Sequence, residues 1–453
     1  MSDLAAKVED VKISGDLKNE AAIAEELKEK RADAVQKVTP WDVAGAVEDG
    51  VDQGINYDKL VKEFGSQFIS PELLERFEKV TGHRPHLLLR RGMFFSHRDL
   101  GHILDLYEQK KPFFLYTGRG PSSDSLHLGH LIPFMFTKWL QDVFDVPLVI
   151  EMTDDEKFLF KHSLTIEETN GVFYKENAKD IIAVGFDPKK TLLFSDYDYM
   201  GGSFYKNVSR VSRQITYNTA KAVFGFSDSD CIGRVHWASI QIAAGLSDSY
   251  PELFGESKIP CLIPCAIDQD PYFRLSRDVS SKLRHPKQAL LHSKFFPALQ
   301  GASSKMSASA DTSAVFMTDT AKQIQKKINK YAFSGGHATI EDHRRLGGNT
   351  EVDVPFQYIS FFLDDDAELE RIRAAYESGE MLTGELKQIC ISLLQEYVAA
   401  FQAERAKVTD ETVKLFGSAN REFKWGHNQA AYVEAAQLAA KAKANQSVPK
   451  KKK

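Results

Sequence analysis

The chain has 453 residues, of which 43% are hydrophobic and 27% charged, and its formal net charge is −5. This length allows two or three domains with a large core, and the mild negative charge excludes a polycationic nucleic-acid binder. No apolar run approaches the length of a membrane span and the N-terminal stretch has no apolar signal core, so we expect a cytosolic protein without a membrane partner.

Cysteine usage argues against a disulfide framework and against a structural metal. Four cysteines are too few for a disulfide scaffold. Cys261 and Cys265 form only half of a zinc-like pattern, because no second Cys or His pair follows at ligand spacing. We therefore expect small buried side chains and no metal ligand from the protein.

Residues 1–38 contain no aromatic residue and are crowded with Lys, Glu, Asp and Ala. Such a segment buries little surface, so we expect a charged N-terminal extension that is disordered or forms a solvated helix over about 17–38. Aromatic residues start at Trp41. Ser70-Pro71 then predicts a capped helix start with proline in the first turn.

A second helix start is predicted just before Leu100, from Ser96 and Asp99. The neighbouring pairs Arg90-Arg91 and His97-Arg98 have two interpretations. Either they contact a nucleotide or an acceptor stem, or they form a solvated basic face.

The clearest pattern covers residues 111–156. An apolar run from Phe113 to Tyr116 breaks at the turn Thr117-Gly118-Arg119-Gly120-Pro121, a helical spacing of apolar residues follows, and a second apolar run covers 146–152. This order predicts a strand, a glycine-rich turn, a helix and a second strand. Ligands of such sheets lie beyond the carboxyl ends of the strands, where helix N-termini attract anions, so we expect the turn to face a phosphate.

A histidine pair stands at the start of that helix, in His127-Leu128-Gly129-His130. Residues three apart share a helix face, so both imidazoles are expected on one side, and Gly129 lets a flat or bulky ligand approach the backbone. Two imidazoles and a helix N-terminus suit a triphosphate whose charge rises in a transition state. Alone, the pattern also fits two polar residues that cap a helix.

The chain after this unit predicts the second half of an α/β sheet. Helical patterns cover 166–184 and 203–224, and apolar runs predict strands over 191–199, 260–268 and 289–296. No block between the halves is large enough for a separate editing domain.

A second polar motif, Lys305-Met306-Ser307-Ala308-Ser309, follows the last predicted strand. A mobile loop with one lysine and two hydroxyl groups suits a grip on the outer phosphates of a nucleotide, followed by release of pyrophosphate. Alone, it also fits any polar surface loop.

Past Thr318 the strand patterns stop, and amphipathic helices are predicted from Ala321 to about Ser334 and over 386–401. Basic side chains of this part are candidate phosphate contacts or solvate a helix face; they are Lys326, Lys327, Lys330, Arg344 and Arg345. Residues 426–453 are rich in Ala and Lys, so we expect a basic tail, either inert or able to raise the rate of RNA association.

In this order and on this scaffold, the two polar motifs resemble the two signatures of class I aminoacyl-tRNA synthetases. Further stretches resemble the eukaryotic-type tryptophanyl-tRNA synthetases: Thr81 to His86, Leu89 to Gly92, Phe94 to Asp99, Tyr116 to Ser123, Thr153 to Lys157, Phe224 to Gly233 and Cys261 to Phe273. The resemblance, over roughly 39–417, implies an α/β, Rossmann-like parallel-sheet catalytic domain over 39–318, with a eukaryotic-type part at 39–105. It also implies a helical anticodon-binding domain over 319–425.

The reaction implied by the resemblance joins the tryptophan carboxylate to the α-phosphate of ATP, releases pyrophosphate and then transfers tryptophan to tRNA(Trp). The carboxylate is already ionised at neutral pH, so this step needs no general base and depends on positioning and charge stabilisation. The implied catalytic residues are His127, His130, Arg119 and Lys305, with Mg²⁺ bound to ATP.

The ATP site implied by the resemblance comprises Thr117, Gly118, Arg119, Gly129, His130, Gln269, Lys305, Met306, Ser307 and Ser309. Ala308 stands where the family more often has a second lysine. More of the charge compensation therefore falls on Arg119 and the metal.

The implied tryptophan site comprises Tyr116, Glu151, Glu156 and Gln241. Tyr116 and Glu151 lie at the ends of adjacent predicted strands, and Glu156 and Gln241 match positions that hold the substrate ammonium. The family often has Gln at position 151; a carboxylate is a stronger acceptor for the indole N–H, but its burial must be offset. A buried acceptor that the wrong substrate leaves unpaired rejects it by ~10⁴ or more without editing.

Three alternatives remain open from the sequence. Tyrosyl-tRNA synthetases share the architecture and both signatures, and small nucleotidyltransferases share the histidine motif but not the helical C-terminal part. A catalytically silent RNA-binding relative is the third, although His127, His130 and Lys305 are intact. The resemblance also implies a cytoplasmic homodimer that binds no DNA.

Overall fold

The computed structural model describes residues 36–40, 43–48, 51–52, 54–305 and 312–447. The predicted N-terminal extension lies almost entirely outside these residues. The strands within them are β1 (Lys37–Val38), β2 (Val43–Ala44), β3 (Val47–Glu48), β4 (Val51–Asp52), β5 (Gln67–Phe68), β6 (Phe94–Arg98), β7 (Phe114–Arg119), β8 (Leu148–Met152), β9 (Thr191–Ser195), β10 (Cys261–Ala266), β11 (Ala289–Ser293), β12 (Pro297–Ala298) and β13 (Gly301–Lys305).

Helices fill most of the remaining described chain. They are α1 (Tyr57–Phe64), α2 (Pro71–Thr81), α3 (Leu87–Arg90), α4 (Leu100–Glu108), α5 (Leu128–Phe144), α6 (Asp154–Phe160), α7 (Tyr174–Ile182), α8 (Asp196–Tyr199), α9 (Gly202–Ser212), α10 (Tyr217–Phe224), α11 (Ile232–Ala244), α12 (Pro251–Phe254), α13 (Asp270–Lys282), α14 (Ala321–Tyr331), α15 (Ile340–Leu346), α16 (Val354–Phe362), α17 (Asp366–Glu377), α18 (Thr383–Arg405), α19 (Asp410–Gly417) and α20 (Gln429–Ser447). A π-helical turn, Glu167–Phe173, precedes α7, and 3₁₀ turns lie at Ser247–Ser249 and Ile267–Gln269.

Seven strands form the central sheet in the order β5-β6-β11-β10-β7-β8-β9. The run from β11 to β9 is parallel, whereas β6 is antiparallel to β11 and to β5. The strand order reverses between β10 and β7, which is where a parallel sheet opens a crevice for ligands at its carboxyl edge.

Side chains of the central strands alternate between two cores. Leu115, Leu148 and Ile150 point to the face covered by α5, and α16 and α18 pack into the same core. Tyr116 and Val149 point to the opposite face, covered by α9, α11 and α13. This period of two is the expected result of a strand buried on both sides.

The predicted order of strand, turn, helix and strand over 111–156 is confirmed by β7, α5 and β8. The first strand is longer than predicted, because β7 continues to Arg119 and includes the first three residues of the predicted turn. The predicted cap at Ser70 is also confirmed, because its side chain accepts a hydrogen bond from Leu73 N–H and Pro71 is the first helical residue. At the next predicted helix start, α4 begins at Leu100, but Ser96 belongs to β6 and Asp99 makes no side-chain cap.

Two predicted elements are divided in the structure. The strand expected over 191–199 ends at Ser195, whose side chain caps the short helix α8, because Ser195 accepts from Asp198 N–H at 3.4 Å. The helix expected over 203–224 is two helices, and Thr216 caps the second. Local hydrogen bonds that Ser and Thr side chains accept from backbone N–H groups thus interrupt the regular pattern.

The C-terminal stretch differs from the expected tail. Residues 429–447 form helix α20, and Tyr432 is buried against the start of β7: its hydroxyl accepts from Phe113 N–H at 3.2 Å and donates to Phe113 O at 2.5 Å. One aromatic residue among many alanines supplies this contact. Among the helices that the structure describes, none combines the length and the apolar character needed to cross a bilayer.

Candidate active site

Arg119 is the last residue of β7 and stands directly before Gly120 and Pro121 of the glycine-rich turn. Its Nε donates to Asn177 Oδ1 at 3.2 Å, whereas its Nη2 is buried and has no hydrogen-bond partner among the described residues. Burial lowers the pKa of Arg119 to about 10, although the Glu156 and Asp180 carboxylates act in the opposite direction. A charged guanidinium with a buried donor to spare fits a phosphate group.

The histidine pair stands at the start of α5, with His127 as the N-cap residue. The two imidazole rings stack with centroids 3.4 Å apart and planes at 22°, so they do share one side. A Cβ atom at Gly129 would lie 3.3 Å from the His127 ring and from Phe296 Cβ. A larger residue at 129 would therefore crowd the pair.

The chain returns to this helix start after the second motif. Leu128 N–H donates to Val315 O at 3.1 Å, and Phe316 pairs with His127 in a β-bridge. Lys305 is described through its backbone, which pairs with Pro297 at the end of β13. Met306, Ser307 and Ser309 lie outside the described residues. The base of the loop is thus beside the histidine pair.

A cavity of about 260 Å³ lies at the carboxyl edge of the sheet, between β7, β10 and the start of α5. The predicted residues that line it are Tyr116, Thr117, Gly118, Arg119, Gly129, His130, Glu156, Gln241 and Gln269. His127 lines a smaller adjoining cavity of about 60 Å³, which shares Gly129 and His130 with the first. The structure therefore brings most of the predicted residues to one place.

Sequence reasoning missed several side chains that line the larger cavity. They are Phe134, Trp237, Cys265, Asp268, Tyr272 and Phe273. Asp268 had a usable signal, because it is a charged residue at the carboxyl end of a predicted central strand. The aromatic residues had none, since in sequence they resemble ordinary core residues.

Glu151 lies behind Tyr116 instead of lining the cavity, and it is fully buried. The Tyr116 hydroxyl donates to Glu151 Oε2, and Gln241 Nε2 donates to the Tyr116 hydroxyl. Gln241 Nε2 also lies 3.3 Å from Glu151 Oε2. Burial raises the pKa of Glu151 to about 8, although the hydrogen bond from Tyr116 opposes this shift. Glu151 was predicted to contact the substrate directly, but in this structure Tyr116 stands between Glu151 and the cavity.

Three more buried carboxyl groups adjoin Glu151. Oxygen atoms of Asp154, Asp155 and Asp196 all lie within 4.8 Å of one another. Burial raises the pKa of all three groups, that of Asp155 to about 6 and that of Asp196 well above its ordinary value. Each of these residues follows the carboxyl end of β8 or β9. The sequence indicated Asp196, because the strand predicted over 191–199 had charged residues at its end.

Glu156 forms an ion pair with the neighbouring Lys157 at 2.6 Å and accepts from Thr153 Oγ1 at 3.2 Å. A Cβ atom at Gly120 would lie 2.0 Å from Lys157 Cε and 2.7 Å from Glu156 Oε2. The absence of a side chain at Gly120 therefore leaves room for the Glu156–Lys157 ion pair at the cavity.

Neither expectation for the N-terminal basic pairs is correct. Arg90 and Arg91 bind Asp366 at 2.8 and 2.6 Å, and Arg98 binds the buried Asp270 at 2.8 Å. These arginines connect elements that are distant in sequence, so they are neither phosphate contacts nor a solvated face.

Lys327 is likewise not a phosphate contact. It is buried in α14 and pairs with Asp319 at 2.8 Å. Arg344 donates to Gly379 O at 2.9 Å, and Arg345 pairs with Asp342 at 2.9 Å. Partners within the protein thus occupy much of this predicted basic surface.

The cavity joins two kinds of chemistry. One side carries an unsatisfied guanidinium donor, a helix start and two imidazoles, which together suit a phosphate chain. The other side is a slot between aromatic rings with a few polar groups, which suits a flat apolar ligand.

The model of the family "tRNA synthetases class I (W and Y)" matches residues 108–232 and 248–399. The cytoplasmic tryptophan–tRNA ligase of Saccharomyces cerevisiae is 66% identical over 383 residues, which cover 84% of this chain and 88% of the yeast protein. A crystal structure of Plasmodium falciparum tryptophanyl-tRNA synthetase is similar with a TM-score of 0.77 and 48% identity, over 81% of this chain and 98% of that one.

A tryptophanyl-tRNA synthetase from Encephalitozoon cuniculi, crystallised bound to tryptophan, is similar with a TM-score of 0.74 and 42% identity, over 81% of this chain and 98% of that one. The family model spans β7, α5, β8 and β10, which build much of the cavity. The chain therefore belongs to the class I tRNA synthetases, within the group of cytoplasmic tryptophan–tRNA ligases.

Proposed function

We propose that the cavity at the carboxyl edge of the sheet binds L-tryptophan and ATP together, so that the chain acts as a tryptophan–tRNA ligase. The chain activates tryptophan to tryptophanyl-adenylate with release of pyrophosphate and transfers tryptophan to tRNA(Trp) for protein synthesis. The buried, unpartnered Arg119 Nη2 beside an aromatic slot is the observation that carries the joint site.

The phosphate side of the site works by charge and position. Arg119 binds a phosphate oxygen, His127 and His130 stabilise the α-phosphate as its charge rises, and the α5 start adds N–H dipoles. Lys305 holds the outer phosphates from the loop whose base lies beside His127. The attacking carboxylate is ionised at neutral pH, so no side chain has to remove a proton.

Class I synthetases use ATP, and we propose that it enters with Mg²⁺. When bound, the ion neutralises phosphate charge and stabilises pyrophosphate as it leaves. Gly118 and Gly129 leave room for the nucleotide, and Gln269, at the end of the 3₁₀ turn after β10, lines the same cavity. We assign no protein carboxylate to the ion.

The tryptophan side selects by shape and by one proton donor. Trp237, Tyr272 and Phe273 supply aromatic walls, and Gln241 and Glu156 supply polar groups for the ammonium. Tyr116 presents its hydroxyl with Glu151 behind it. A wrong amino acid leaves such buried groups unpaired, which costs it binding and rate.

For tRNA we propose that the helical part over 319–425 binds the anticodon, although Lys327 is excluded as a contact.

A homodimer is supported by apolar side chains that remain exposed in this chain, such as Val172, Tyr205 and Ile232, which is 87% exposed. Sedimentation of wild type and Ile232→Asp tests it: a dimer that the variant weakens is expected, and a wild-type monomer contradicts it. By its relatives the protein acts in the cytoplasm, and we propose no DNA partner.

The test of the function is tryptophan-dependent exchange of pyrophosphate into ATP, run with every standard amino acid in turn. Tryptophan alone should support rapid exchange, followed by charging of tRNA(Trp). Rapid exchange with tyrosine would favour the tyrosyl alternative, and tRNA binding without any exchange would favour a silent relative.

A further inference from the structure

Four buried carboxyl groups form a continuous line behind the tryptophan side of the cavity. Glu151 is the residue before the last in β8, Asp154 and Asp155 begin α6, and Asp196 begins α8. Their side chains are between 0 and 5% exposed. None of the groups with the largest electrostatic effect on Glu151, Asp155 or Asp196 is a cation. Four negative charges at this spacing would be prohibitively costly.

The hydrogen bonds show which of these groups are ionised. Asp154 accepts from Ser195 Oγ at 2.5 Å, from Asn170 Nδ2 at 2.9 Å and from Asp196 N–H at 3.1 Å. A carboxyl group that accepts three hydrogen bonds is held in its charged form. The accepted hydrogen bonds thus favour the carboxylate form of Asp154, although burial raises its pKa.

Asp155 is held in the same way. Its Oδ1 accepts from Trp237 Nε1 at 3.0 Å and from Glu156 N–H at 2.6 Å. Asp196 differs, because both of its oxygens are buried without a hydrogen-bond donor among the described residues, and Glu151 Oε1 has none either. Asp196 nevertheless lies within hydrogen-bonding reach of Glu151 and of Asp155. Acceptors thus face acceptors.

We propose that two protons reside on Glu151 and Asp196 and convert these facing oxygens into a directed hydrogen-bond chain, in which Asp196 is a positioning residue for the tryptophan site. Glu151 Oε1–H donates to one oxygen of Asp196, and the other oxygen of Asp196 donates to the Asp155 carboxylate. These two protons satisfy all three oxygens that lack a donor. This inference rests on the proposed tryptophan-activating function.

This hydrogen-bond chain connects two walls of the cavity from behind. Gln241 donates to Tyr116 and Tyr116 to Glu151, while Asp155 at the far end accepts from Trp237. Tyr116, Gln241 and Trp237 all line the cavity. Asp196, which does not touch it, therefore fixes the orientation of the groups that do.

The other titratable groups that face this hydrogen-bond chain are tyrosine phenols, which carry no positive charge. They are Tyr174 from α7, Tyr197 from α8 and Tyr250 ahead of α12. Ionisation of Glu151 above about pH 8 would therefore put an uncompensated charge behind Tyr116. The Michaelis constant for tryptophan should rise there by roughly tenfold, with a smaller effect on kcat.

The matched variants are Asp196→Asn and Asp196→Leu, because both new side chains have the same number of heavy atoms as aspartate and branch at the same carbon. An Asn side chain accepts from Glu151 and donates to Asp155, so KM for tryptophan should stay within about threefold of wild type. Leu breaks the chain, and KM should rise by roughly tenfold or more while kcat changes less. Equal losses in both variants would overturn the proposal.

Asp154→Asn is the reciprocal control. Both oxygens of Asp154 accept hydrogen bonds, so an amide nitrogen in either position would face at least one donor. This variant is expected to lower the unfolding midpoint well below that of Asp196→Asn. In Glu151→Gln the ratio of KM at pH 9 to KM at pH 7 should fall to about one. A ratio equal to that of wild type would contradict a proton on Glu151.

Infrared spectra give a readout that is independent of activity. Wild type at pH 7 should show the carbonyl stretch of buried protonated carboxyl groups, and Asp196→Asn and Glu151→Gln should each remove part of it. Absence of this band, or stoichiometric Mg²⁺ binding without ATP that Asp196→Asn abolishes, would overturn the proposal in favour of a bound cation. Failure of the exchange assay with an intact infrared band would instead count against the proposed function.

Discussion

Lys305 is the one lysine of its loop motif, because Ala308 stands where the family more often has a second. Its positive charge should act mainly on the phosphates as they separate, and little on the amino acid. We expect Lys305→Ala to slow adenylate formation by about 100-fold while the dissociation constant of tryptophan changes less than about threefold. Single-turnover kinetics and a tryptophan titration measure the two quantities.

Lys62→Ala is a suitable control for Lys305, since Lys62 is exposed in α1 and far from the cavity in sequence. It should change neither quantity. Equal losses of rate and tryptophan affinity in Lys305→Ala would contradict the phosphate role.

We expect Glu151 to affect specificity from its buried position. Truncation to Ala removes the acceptor of the Tyr116 hydroxyl and the partner of Asp196, so the polar wall of the slot loses its fixed orientation. We expect the preference for tryptophan over tyrosine and phenylalanine, measured as the ratio of kcat/KM values, to fall by roughly tenfold or more. Glu167→Ala, at an exposed position, is the control, and an unchanged ratio in Glu151→Ala would count against the assignment.

At the scale of elements, the glycine-rich turn depends on the absence of a side chain at 120. In Gly120→Ala the new methyl group overlaps Lys157 Cε, so Lys157 must swing away and its ion pair with Glu156 breaks. We expect KM for tryptophan to rise by roughly threefold to tenfold, with a small change in stability. Steady-state exchange kinetics measure this change.

Gly171→Ala is the matched substitution, because a Cβ atom there would meet nothing within 4 Å. It should leave KM at the wild-type value. If both alanine variants behaved alike, crowding by Lys157 would not be the cause.

Tyr432 connects helix α20 to the start of β7, because its hydroxyl makes two hydrogen bonds with the backbone of Phe113. Tyr432→Phe leaves both backbone groups buried and without that partner, and we expect a loss of about 1–2 kcal/mol in the free energy of unfolding. Val433→Ala, at the next residue and 53% exposed, should cost less than about 0.5 kcal/mol. Urea unfolding compares the two, and similar losses would show that the hydroxyl contributes little.

At the scale of the whole molecule, Asp270 connects the N-terminal part to the second half of the sheet. Arg98 binds it at 2.8 Å, and His292 Nε2 lies 3.0 Å away. Burial alone would raise the pKa of Asp270, but hydrogen bonds from His292 and Arg98 outweigh it and lower the pKa to about 2. The stabilisation that the ionised Asp270 contributes is fully present above its unfolded pKa near 3.8. It is lost as the pH falls through the folded-state pKa of about 2.

We therefore expect the free energy of unfolding to fall by roughly 2 kcal/mol between pH 4 and pH 2 because of Asp270. Asp270→Asn should be less stable at neutral pH but should lose less on acidification over this range. Urea unfolding at a series of pH values measures both. The same acid slope in wild type and variant would contradict the assignment.

Polar residues directly after predicted strands were the most reliable guide to the site. Arg119, Gly129 and His130 could be placed because the apolar pattern predicted the order of β7, α5 and β8, and the ends of parallel strands share one edge. The exact end of β7 was not predicted, since the strand runs three residues beyond Tyr116. Trp237 and Phe273 could not be placed, because an aromatic residue in a core and one in a slot have the same sequence pattern. Asp366 as the partner of Arg91 was equally hidden, since no local rule connects residues so far apart.

By itself the sequence determined the parallel α/β sheet and the resemblance to a known enzyme class, because these depend on periodicity and on motifs within a few residues. The tertiary structure alone decided that Glu151 stands behind Tyr116, that Asp196 completes a line of buried carboxyl groups, and that α20 packs on β7. The physical reason is that protonation, burial and pairing depend on which distant side chains become neighbours, and only the folded chain brings those neighbours together.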